Sequence, residues 1–477
     1  MTVVLAIDQG TSGTKAVVVD GDGRTLALAE AGLRPRYGDG GLVEQDPLSL
    51  LESVLDTGRR ALAAAGRPVD AVALANQGET VLAWDPATGA PLSAAIVWQD
   101  RRAESVCAEL TEHADWIAAR TGLVLDSYFT APKMAWLRRE VTRAGVVTTV
   151  DTWLLYRLTG EFVTDAATAS RSLLLDIDTG GWDPELAVLF ALEEERLPRI
   201  VDCAEVIGTT RAFGGELPVA GLVTDQQAAL LAEGCVTPGS AKCTYGTGAF
   251  LLANTGGTAA RSRVGLTTSI AWRLGGRTDY CVDGQVYTAA SAVRWLRDLG
   301  LIGSAEELDA RAAKDSDGTL CVPALAGLAA PWWRPDATAT FAGMTLSTGP
   351  GHLVLAVLQG IAAQVATVCD RVADDVGAPL TRLRADGGLT RSATLMQAQA
   401  DLAQLPVDVY PSPHATPLGA AALARLALDP GLTLEQAVGD WRPSAVYEPV
   451  WPADRAEEFR RTWTAVAEAT VRKGELI

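Results

Sequence analysis

Apolar residues at the start of the chain come in short runs separated by turn residues. Runs at residues 3–8, 15–20 and 24–30 are divided by a Gly/Thr/Ser segment and by the turn at 20–23. Runs of this length between Gly, Asp and Ser are typical of strands joined by tight turns. Residues 242–290 repeat the order strand, turn, strand, strand. The pattern therefore predicts a β-meander at the start of each half of the chain.

Between and after these meanders, the spacing of apolar residues changes to that of amphipathic helices alternating with short buried strands. Predicted helices cover 46–65, 101–111, 131–144, 150–158, 287–299, 304–313, 350–375 and 392–404, with one opened by Thr416-Pro417 and an amphipathic tail from about 455. Predicted strands cover 69–75, 94–98, 162–164, 172–176, 381–386 and 406–410. This order indicates an α/β protein with mixed sheets.

The segment 233–240 is small, polar and punctuated by Gly and Pro, and it directly precedes the second meander. Such composition is typical of a domain boundary. A chain of 477 residues also exceeds a single compact core. We therefore expect two similar domains, residues 1–235 and 236–477, as in an internal duplication.

Composition restricts the partners and the compartment. Hydrophobic residues make up 48% and charged residues 21%, and the net charge is −18. This acidic balance, with no Lys/Arg run, argues against nucleic acid or an anionic membrane as the main partner. Seven scattered cysteines without a CxxC pair fit reduced thiols. The prediction is a cytoplasmic protein; a homodimer remains open, because the sequence does not determine the oligomeric state.

The sequence also argues against a signal peptide, a membrane span and a His-based site. The first residues lead directly into a strand without a basic region, so we expect no signal peptide. We also expect no membrane span, on the reading that no uncharged apolar run approaches about 20 residues. Three widely separated histidines give little support for a His-based zinc site or triad.

Two Gly/Thr hairpins carry the first candidate chemistry. In the first, a strand delivers Asp8 and is followed by the turn Gly10–Gly13; in the second, Thr244-Tyr245 precedes Gly246-Thr247-Gly248. Glycines let backbone N–H groups approach an anion, and a strand-borne carboxylate can hold hydrated Mg²⁺. Either hairpin alone could be an ordinary turn. Two of them, one opening each half, indicate domains that hold one polyphosphate from opposite sides.

Several further blocks occur in an order that resembles the FGGY carbohydrate kinases, and within them most closely the glycerol kinases. With the two hairpins, the similarity covers nearly all of the chain; the blocks are residues 43–47 (VEQDP), 76–80 (NQGET), 96–102 (IVWQDRR), 128–137 (YFTAPKMAWL), 225–230 (DQQAAL) and 386–388 (DGG). The resemblance implies two duplicated RNase H/actin-like domains around an interdomain cleft. It also implies ATP-dependent phosphorylation of a hydroxyl group on a small polyol or sugar.

The resemblance also assigns roles to individual residues, with ATP and Mg²⁺ as the other participants. Asp8 would bind the metal, and Asp225 would be the catalytic base. The acceptor would contact Glu79, Trp98, Tyr128, Asp225, Gln226 and Phe250. The nucleotide would contact Thr11, Ser12, Gly13, Lys15, Gly246, Thr247, Ala290, Gly388 and Ser392. Local sequence alone leaves other readings open: Asp225 could cap the following helix, and Trp98 and Phe250 could be core aromatics.

The chain departs from the glycerol kinases at four positions. Gly78 stands where they carry an arginine that binds two glycerol hydroxyls, and such charged hydrogen bonds are worth about 1.5–3 kcal/mol each. Ala290 replaces a glycine, Ser392 replaces an asparagine, and Arg334 occupies a position that is usually acidic. These differences leave the reaction class unchanged but put glycerol in question as the acceptor, and a longer polyol becomes the expectation.

Three readings of function follow from the sequence. The first is a polyol or sugar kinase, with a true glycerol kinase as its nearest alternative. The second is a non-catalytic, nucleotide-switched protein of the actin-like group, which would need none of the predicted hydroxyl-binding residues. The third is a ligand-binding regulator, for which no helix-turn-helix or basic region is present.

Overall fold

The computed structural model describes residues 2–474, and its first half contains fifteen strands in four sheets. The strands are β1 Val4–Gln9, β2 Gly13–Val19, β3 Thr25–Gly32, β4 Arg36–Tyr37, β5 Val43–Gln45, β6 Ala71–Asn76, β7 Val81–Trp84, β8 Ala95–Ile96, β9 Val146–Thr149, β10 Val163–Asp165, β11 Leu175–Asp176, β12 Gly181–Trp182, β13 Arg199–Val201, β14 Val206–Thr210 and β15 Leu217–Thr224. The second half contains β16 Ala241–Tyr245, β17 Ala249–Gly256, β18 Thr267–Leu274, β19 Arg277–Val286, β20 Leu320–Val322, β21 Thr340–Ala342, β22 Leu383–Asp386, β23 Val407–Val409 and β24 Ala445–Tyr447.

Helices connect these strands in both halves. They are α1 Pro47–Ala65, α2 Glu104–Glu109, α3 Ala114–Thr121, α4 Thr130–Glu140, α5 Val150–Thr159, α6 Ala166–Ser170, α7 Pro184–Leu189, α8 Asp225–Ala232, α9 Ala290–Asp298, α10 Leu308–Arg311, α11 Pro350–Val376, α12 Ala393–Ala403, α13 Ala415–Leu428, α14 Leu434–Val438 and α15 Ala453–Gly474. Most lie within a few residues of the predicted bounds. The predicted helix 304–313 is instead a 3₁₀ turn followed by the short α10.

Local sequence explains where the longest helix of the first half begins and ends. The Asp46 carboxylate accepts from the backbone N–H groups of Leu48 and Ser49, and Pro47 occupies the first turn. Gly66 closes the helix in the left-handed conformation, with φ 61°. An acidic cap, a proline at the start and a glycine at the end are the expected signals.

The principal sheet of the first half has the strand order β14-β15-β6-β1-β2-β3. The strands β1, β2 and β3 pair antiparallel as the predicted meander, while β6 and β15 add in parallel on the other side of β1. A five-stranded sheet, in the order β4-β5-β8-β7-β9, packs beside it.

The principal sheet of the second half has the order β18-β19-β17-β16-β22-β23-β24. Here too β16 pairs antiparallel with the strand that follows it and parallel with β22, which in turn pairs parallel with β23. The two sheets therefore share one plan, antiparallel strands extended by parallel strands, although in the second sheet β17 pairs with β19 and β18 lies outside β19. The predicted internal duplication and the actin-like fold class are confirmed.

Helix α13 belongs to the second half of the sequence but packs on the first sheet. Its residues 420–424 share a buried cluster with β1, β6 and α8. A Cβ on Gly419 would lie 1.9 Å from the Ala228 carbonyl oxygen, so glycine is required for this approach. The helix thus joins the halves behind the cleft.

One premise of the sequence analysis is wrong, namely that no apolar run approaches the length of a membrane span. Helix α11 is long and apolar enough, by length and composition, to cross a membrane. Many of its residues belong to the main core cluster of the second half, and 83% of its most apolar stretch is buried. A helix that the core covers on all sides needs no charged face, so its composition resembles that of a membrane helix.

Candidate active site

The strands β1, β6 and β15 end together at the edge of the first sheet, facing the end of β16. Between them lies an open cavity of about 440 Å³. Most of the residues assigned from the sequence line it: Asp8, Thr11, Ser12, Gly13, Lys15, Glu79, Trp98, Tyr128, Asp225, Gln226, Gly246, Thr247 and Phe250. Gly78 and Thr244 line it as well. The structure therefore brings residues from both halves to one cleft.

The first hairpin is hydrogen-bonded to Gln77 and Trp98, on the side of the cavity where the sequence analysis expects the acceptor (the acceptor side). Lys15 is the cross-strand neighbour of Asp8. The Thr11 hydroxyl donates to Gln77 Oε1 (2.9 Å) and accepts from Trp98 Nε1 (2.9 Å). With its hydroxyl committed in this way, Thr11 keeps only its backbone N–H to offer a phosphate. A Cβ on Gly13 would lie 2.6 Å from the Ala31 carbonyl oxygen, which explains the glycine.

The second hairpin also requires a glycine where it approaches a neighbouring carbonyl group, and it packs against a helix. A Cβ on Gly248 would lie 2.4 Å from the Val286 carbonyl oxygen. The backbone N–H groups of Ala289 and Ala290, where α9 begins, donate to the carbonyl oxygens of Thr247 and Gly246. These bonds hold the hairpin against the start of α9. The Gly/Thr backbone consequently faces the cavity.

Three aromatic rings form one wall of the cavity. Trp98 and Tyr128 meet edge to face at 5.4 Å between ring centroids, and Trp98 meets Phe250 at 5.9 Å. All three are half-buried rather than enclosed. The alternative that Trp98 and Phe250 are core aromatics is therefore not supported. Such rings can pack against the C–H faces of a polyol while their neighbours bind its hydroxyls.

Glu79 is buried at the bottom of the acceptor side and has an unusual backbone. Its φ is 58°, in the left-handed region, and the Thr80 N–H donates to the Gly78 carbonyl oxygen at 2.7 Å. Strained conformations of this kind cluster at functional sites, where the surrounding structure holds them. Burial raises the pKa of the Glu79 carboxyl, which the positive charge of Arg171 opposes.

Arg171, which the sequence analysis missed, is the cation beside Glu79. Its Nε hydrogen-bonds Glu79 Oε1, and its Nη1 donates to Asp283 Oδ1 at 3.1 Å. Burial opposes the charge, but Asp283 and Glu79 hold the pKa of the guanidinium well above its usual range. A lone arginine among small residues, Ala169-Ser170-Arg171-Ser172, was the available signal. Arg171 thus contacts the residue that directly follows Gly78.

Asp225 lies where β15 passes into α8, recessed in the cavity. Thr224 is the N-cap residue of α8, so the alternative that Asp225 serves as the helix cap is wrong. Burial, followed by the charge of Glu79, raises the pKa of Asp225 to about 6. A carboxyl group with a pKa near neutrality can accept a proton at physiological pH and release it afterwards.

Asp8 lies across the cavity, in electrostatic reach of Asp225 and Asp386. Burial, followed by the charge of Asp225, raises the pKa of Asp8 to about 7. Asp386 Oδ1 is buried without a hydrogen-bond partner in the described part of the chain. Carboxylate oxygens are ligands that Mg²⁺ prefers, usually together with waters and phosphates. The described residues 2–474 contain no group of three or more His, Cys, Asp or Glu residues placed to hold a metal ion.

Comparison with known proteins agrees with this geometry. The N-terminal domain of the FGGY family of carbohydrate kinases matches residues 3–232, and the C-terminal domain of that family matches residues 241–428. The chain belongs to the FGGY family of carbohydrate kinases. It is thus an ATP-dependent kinase that phosphorylates a hydroxyl acceptor.

Individual relatives cover the whole length of this FGGY kinase. It is 42% identical to the glycerol kinase of Aromatoleum aromaticum, over 98% of each chain. It is 44% identical to the glycerol kinase of Alkalilimnicola ehrlichii, over 90% of each. The crystal structure of Plasmodium falciparum glycerol kinase with ADP superposes with a TM-score of 0.90 at 31% identity, over 98% of each chain.

Three residues assigned to the nucleotide do not line the cavity of this FGGY kinase. Ala290 begins α9 directly behind the second hairpin. Gly388 follows Gly387, where a Cβ would lie 2.5 Å from the Tyr245 carbonyl oxygen, so this loop packs on the same hairpin. The Ser392 hydroxyl caps α12 and donates to Asp309 Oδ1 at 2.6 Å. Their contacts with ATP stay predictions.

Proposed function

We propose that this FGGY kinase transfers the terminal phosphoryl group of ATP to a hydroxyl of a small polyol held between its two domains. The assignment to a polyol rests on one observation, the aromatic wall of Trp98, Tyr128 and Phe250 above buried polar groups. Aromatic faces with carboxylate and amide partners suit a small molecule that has C–H faces and several hydroxyls.

Within this proposal, Asp225 accepts the proton of the attacking hydroxyl, and Glu79 and Gln226 orient the acceptor. The two hairpins hold the phosphates from opposite sides, with Lys15 adding positive charge. Asp8 holds Mg²⁺, which supplies positive charge to the transferring phosphoryl group when bound. Closure of the cleft would exclude water and align the attack.

Purified protein with ATP and Mg²⁺, tested on a panel of three- to six-carbon polyols, ketoses and aldonates, tests this function. Formation of ADP together with a phosphorylated polyol is the expected result. ATP turnover without any phosphorylated acceptor would favour the nucleotide-switched alternative. We place this activity in the cytoplasm, without nucleic acid or membrane partners.

Glycerol is the second candidate acceptor. The relatives named above are glycerol kinases at 31–44% identity, and Arg171 brings a guanidinium to Glu79 from another part of the chain. That guanidinium could replace the donors absent at Gly78. The same panel separates the two candidates.

We predict a preference for acceptors longer than glycerol. Gly78 lines the cavity and carries no side chain to bind a three-carbon polyol. The best four- to six-carbon acceptor should therefore exceed glycerol in kcat/KM by at least about tenfold, the low end for one lost charged hydrogen bond. Steady-state kinetics across the panel measures this ratio.

The variant Gly78→Arg should narrow or invert that preference, because it fills the space and restores the donors. A Cβ at this position would lie 2.9 Å from Thr224 Oγ1, a hydroxyl that can rotate away. Gly78→Ala is the matched control, since it adds the Cβ without a donor. If glycerol is the best acceptor of the wild-type protein, the argument from Gly78 is wrong.

The rate should also depend on pH in a defined direction. The Asp225 carboxyl must be ionised to accept a proton, and its pKa is raised to about 6. We therefore expect kcat/KM at saturating Mg²⁺ to fall as the pH drops below about 6, with one proton taken up. A profile that stays flat well below that pH would show that Asp225 is not the base.

A further inference from the structure

A buried lysine, Lys242, joins the acceptor side of the cleft to its phosphate side. It lies on β16, and its side chain has no exposed surface. Its Nζ donates to Gln226 Oε1 at 2.6 Å and to Thr244 Oγ1 at 2.7 Å. One ammonium group therefore contacts a residue of each half of the chain.

The contact with Lys242 determines which way the Gln226 amide faces. An ammonium group can only donate, so the amide oxygen must point toward Lys242. The Gln226 NH₂ group has no partner among the hydrogen bonds of residues 2–474, and Gln226 lines the cavity. The amide therefore presents donors to an acceptor hydroxyl.

The contact with Lys242 orients the Thr244 hydroxyl in the same way. Because its oxygen accepts from Nζ, its hydrogen is left to donate elsewhere. Thr244 also lines the cavity, beside Gly246 and Thr247 of the second hairpin. This hydroxyl is available to a phosphate oxygen.

We propose that Lys242 is a positioning residue that couples the two substrates, by fixing the Gln226 amide toward the acceptor and the Thr244 hydroxyl toward the phosphates. The proposal rests on the proposed function. A substrate that binds Gln226 or Thr244 holds the ammonium group of Lys242 in place for its contact with the other residue. Each substrate should then bind more tightly in the presence of the other, by the same factor.

The alternative is that the positive charge of Lys242 only stabilises the fold. Two carboxyl groups interact with this charge, those of Asp225 at the start of α8 and of Glu233 just after its end. The thiols of Cys235, Cys243 and Cys281 interact with it as well. The neighbouring strand β22 brings Arg384 and Asp386 to the same region. The test must therefore include a measurement that loss of stability alone would not change.

The decisive measurement is the affinity of a non-hydrolysable ATP analogue with Mg²⁺, titrated calorimetrically with and without saturating glycerol. For the wild-type protein we expect glycerol to tighten nucleotide binding by a factor in the usual range of about 5 to 150. In Lys242→Met, which keeps the length of the side chain but removes its donors, the factor should fall to about 1. The acceptor KM should rise by about tenfold or more.

Lys133→Met is the matched control. Lys133 is equally buried, but its Nζ donates to backbone carbonyl oxygens, including that of Ser127 at 2.9 Å, and contacts neither Gln226 nor Thr244. This variant should keep the wild-type coupling factor. Removing Lys242 should also move the acid limb of kcat/KM to higher pH, since its charge lowers the pKa of Asp225.

If Lys242→Met does not fold, Gln226→Leu and Thr244→Val each remove one of its two contacts and should each abolish the coupling. The proposal would be overturned if glycerol did not tighten nucleotide binding in the wild-type protein. It would also be overturned if Lys242→Met, or both Gln226→Leu and Thr244→Val, kept the coupling factor of the wild-type protein. Retention would indicate that the bond between Trp98 and Thr11 carries the coupling instead. Failure of the proposed function is distinct, because it appears as absence of polyol phosphorylation by the wild-type protein.

Discussion

Asp225→Asn is expected to lower kcat by about two to four decades, the usual contribution of a general base. Asparagine keeps the shape of the side chain but cannot accept the proton of the attacking hydroxyl. The acid limb of the pH profile should disappear in this variant. Single-turnover kinetics with saturating ATP and acceptor measures the chemical step directly.

The fold and nucleotide affinity of Asp225→Asn should remain those of the wild-type protein. Asp56→Asn is a suitable control, because Asp56 is exposed on α1, where it pairs with Arg60 one helical turn away. That variant should turn over at the wild-type rate. Turnover of Asp225→Asn near the wild-type rate would remove Asp225 from the mechanism.

Asp8→Ala is expected to abolish Mg²⁺-dependent phosphoryl transfer while acceptor binding stays largely intact. Asp8 lies on the phosphate side, beside Lys15 and away from the aromatic wall. Its loss should remove the metal and not the polyol. Two titrations of the variant, one with the acceptor and one with Mg²⁺ and nucleotide, measure the two effects separately.

Asp22→Ala is the matched control for Asp8→Ala. Asp22 is exposed in the turn at the opposite end of β2, so the same substitution there should change neither transfer nor metal dependence. Loss of acceptor affinity in Asp8→Ala, with ATP turnover preserved, would contradict the assignment of Asp8 to the metal.

The sequence predicted the architecture well, because its local signals agree with the fold. Asp46-Pro47 begins α1 and Gly66 closes it, as capping preferences require. The first predicted meander appears as β1–β3, whereas the second is wrong in its order, because β17 pairs with β19 and not with β18. Errors are concentrated where tertiary contacts replace local preference. Helix α11 reads as long and apolar because the core covers it, and 304–313 divides into two short pieces.

Much of the candidate site was also accessible from sequence, because its members lie in short motifs. Asp8 and the Gly/Thr turns come directly after strands, and Asp225-Gln226 follows β15. Parallel strands bring their carboxyl ends to one edge of the sheet, so motifs at those ends meet in space. For Ser392, the position in the motif did not reveal its hydrogen bonds. Its hydroxyl donates to Asp309 and caps the start of α12.

By itself, the sequence determined the duplicated α/β fold, the two Gly/Thr hairpins and the identity of most residues that line the cleft. Only the tertiary structure decided how the cleft is completed. Arg171 reaches Glu79 across 92 positions of sequence, and Lys242 connects Gln226 with Thr244 across the domain boundary. Neither Glu79 nor Gln226 lies in the same sequence motif as the cation that it contacts, whereas Thr244 lies in the same hairpin as Lys242. The physical reason is that a buried cation is tolerated only beside the partners that folding brings to it, and local spacing does not encode those partners.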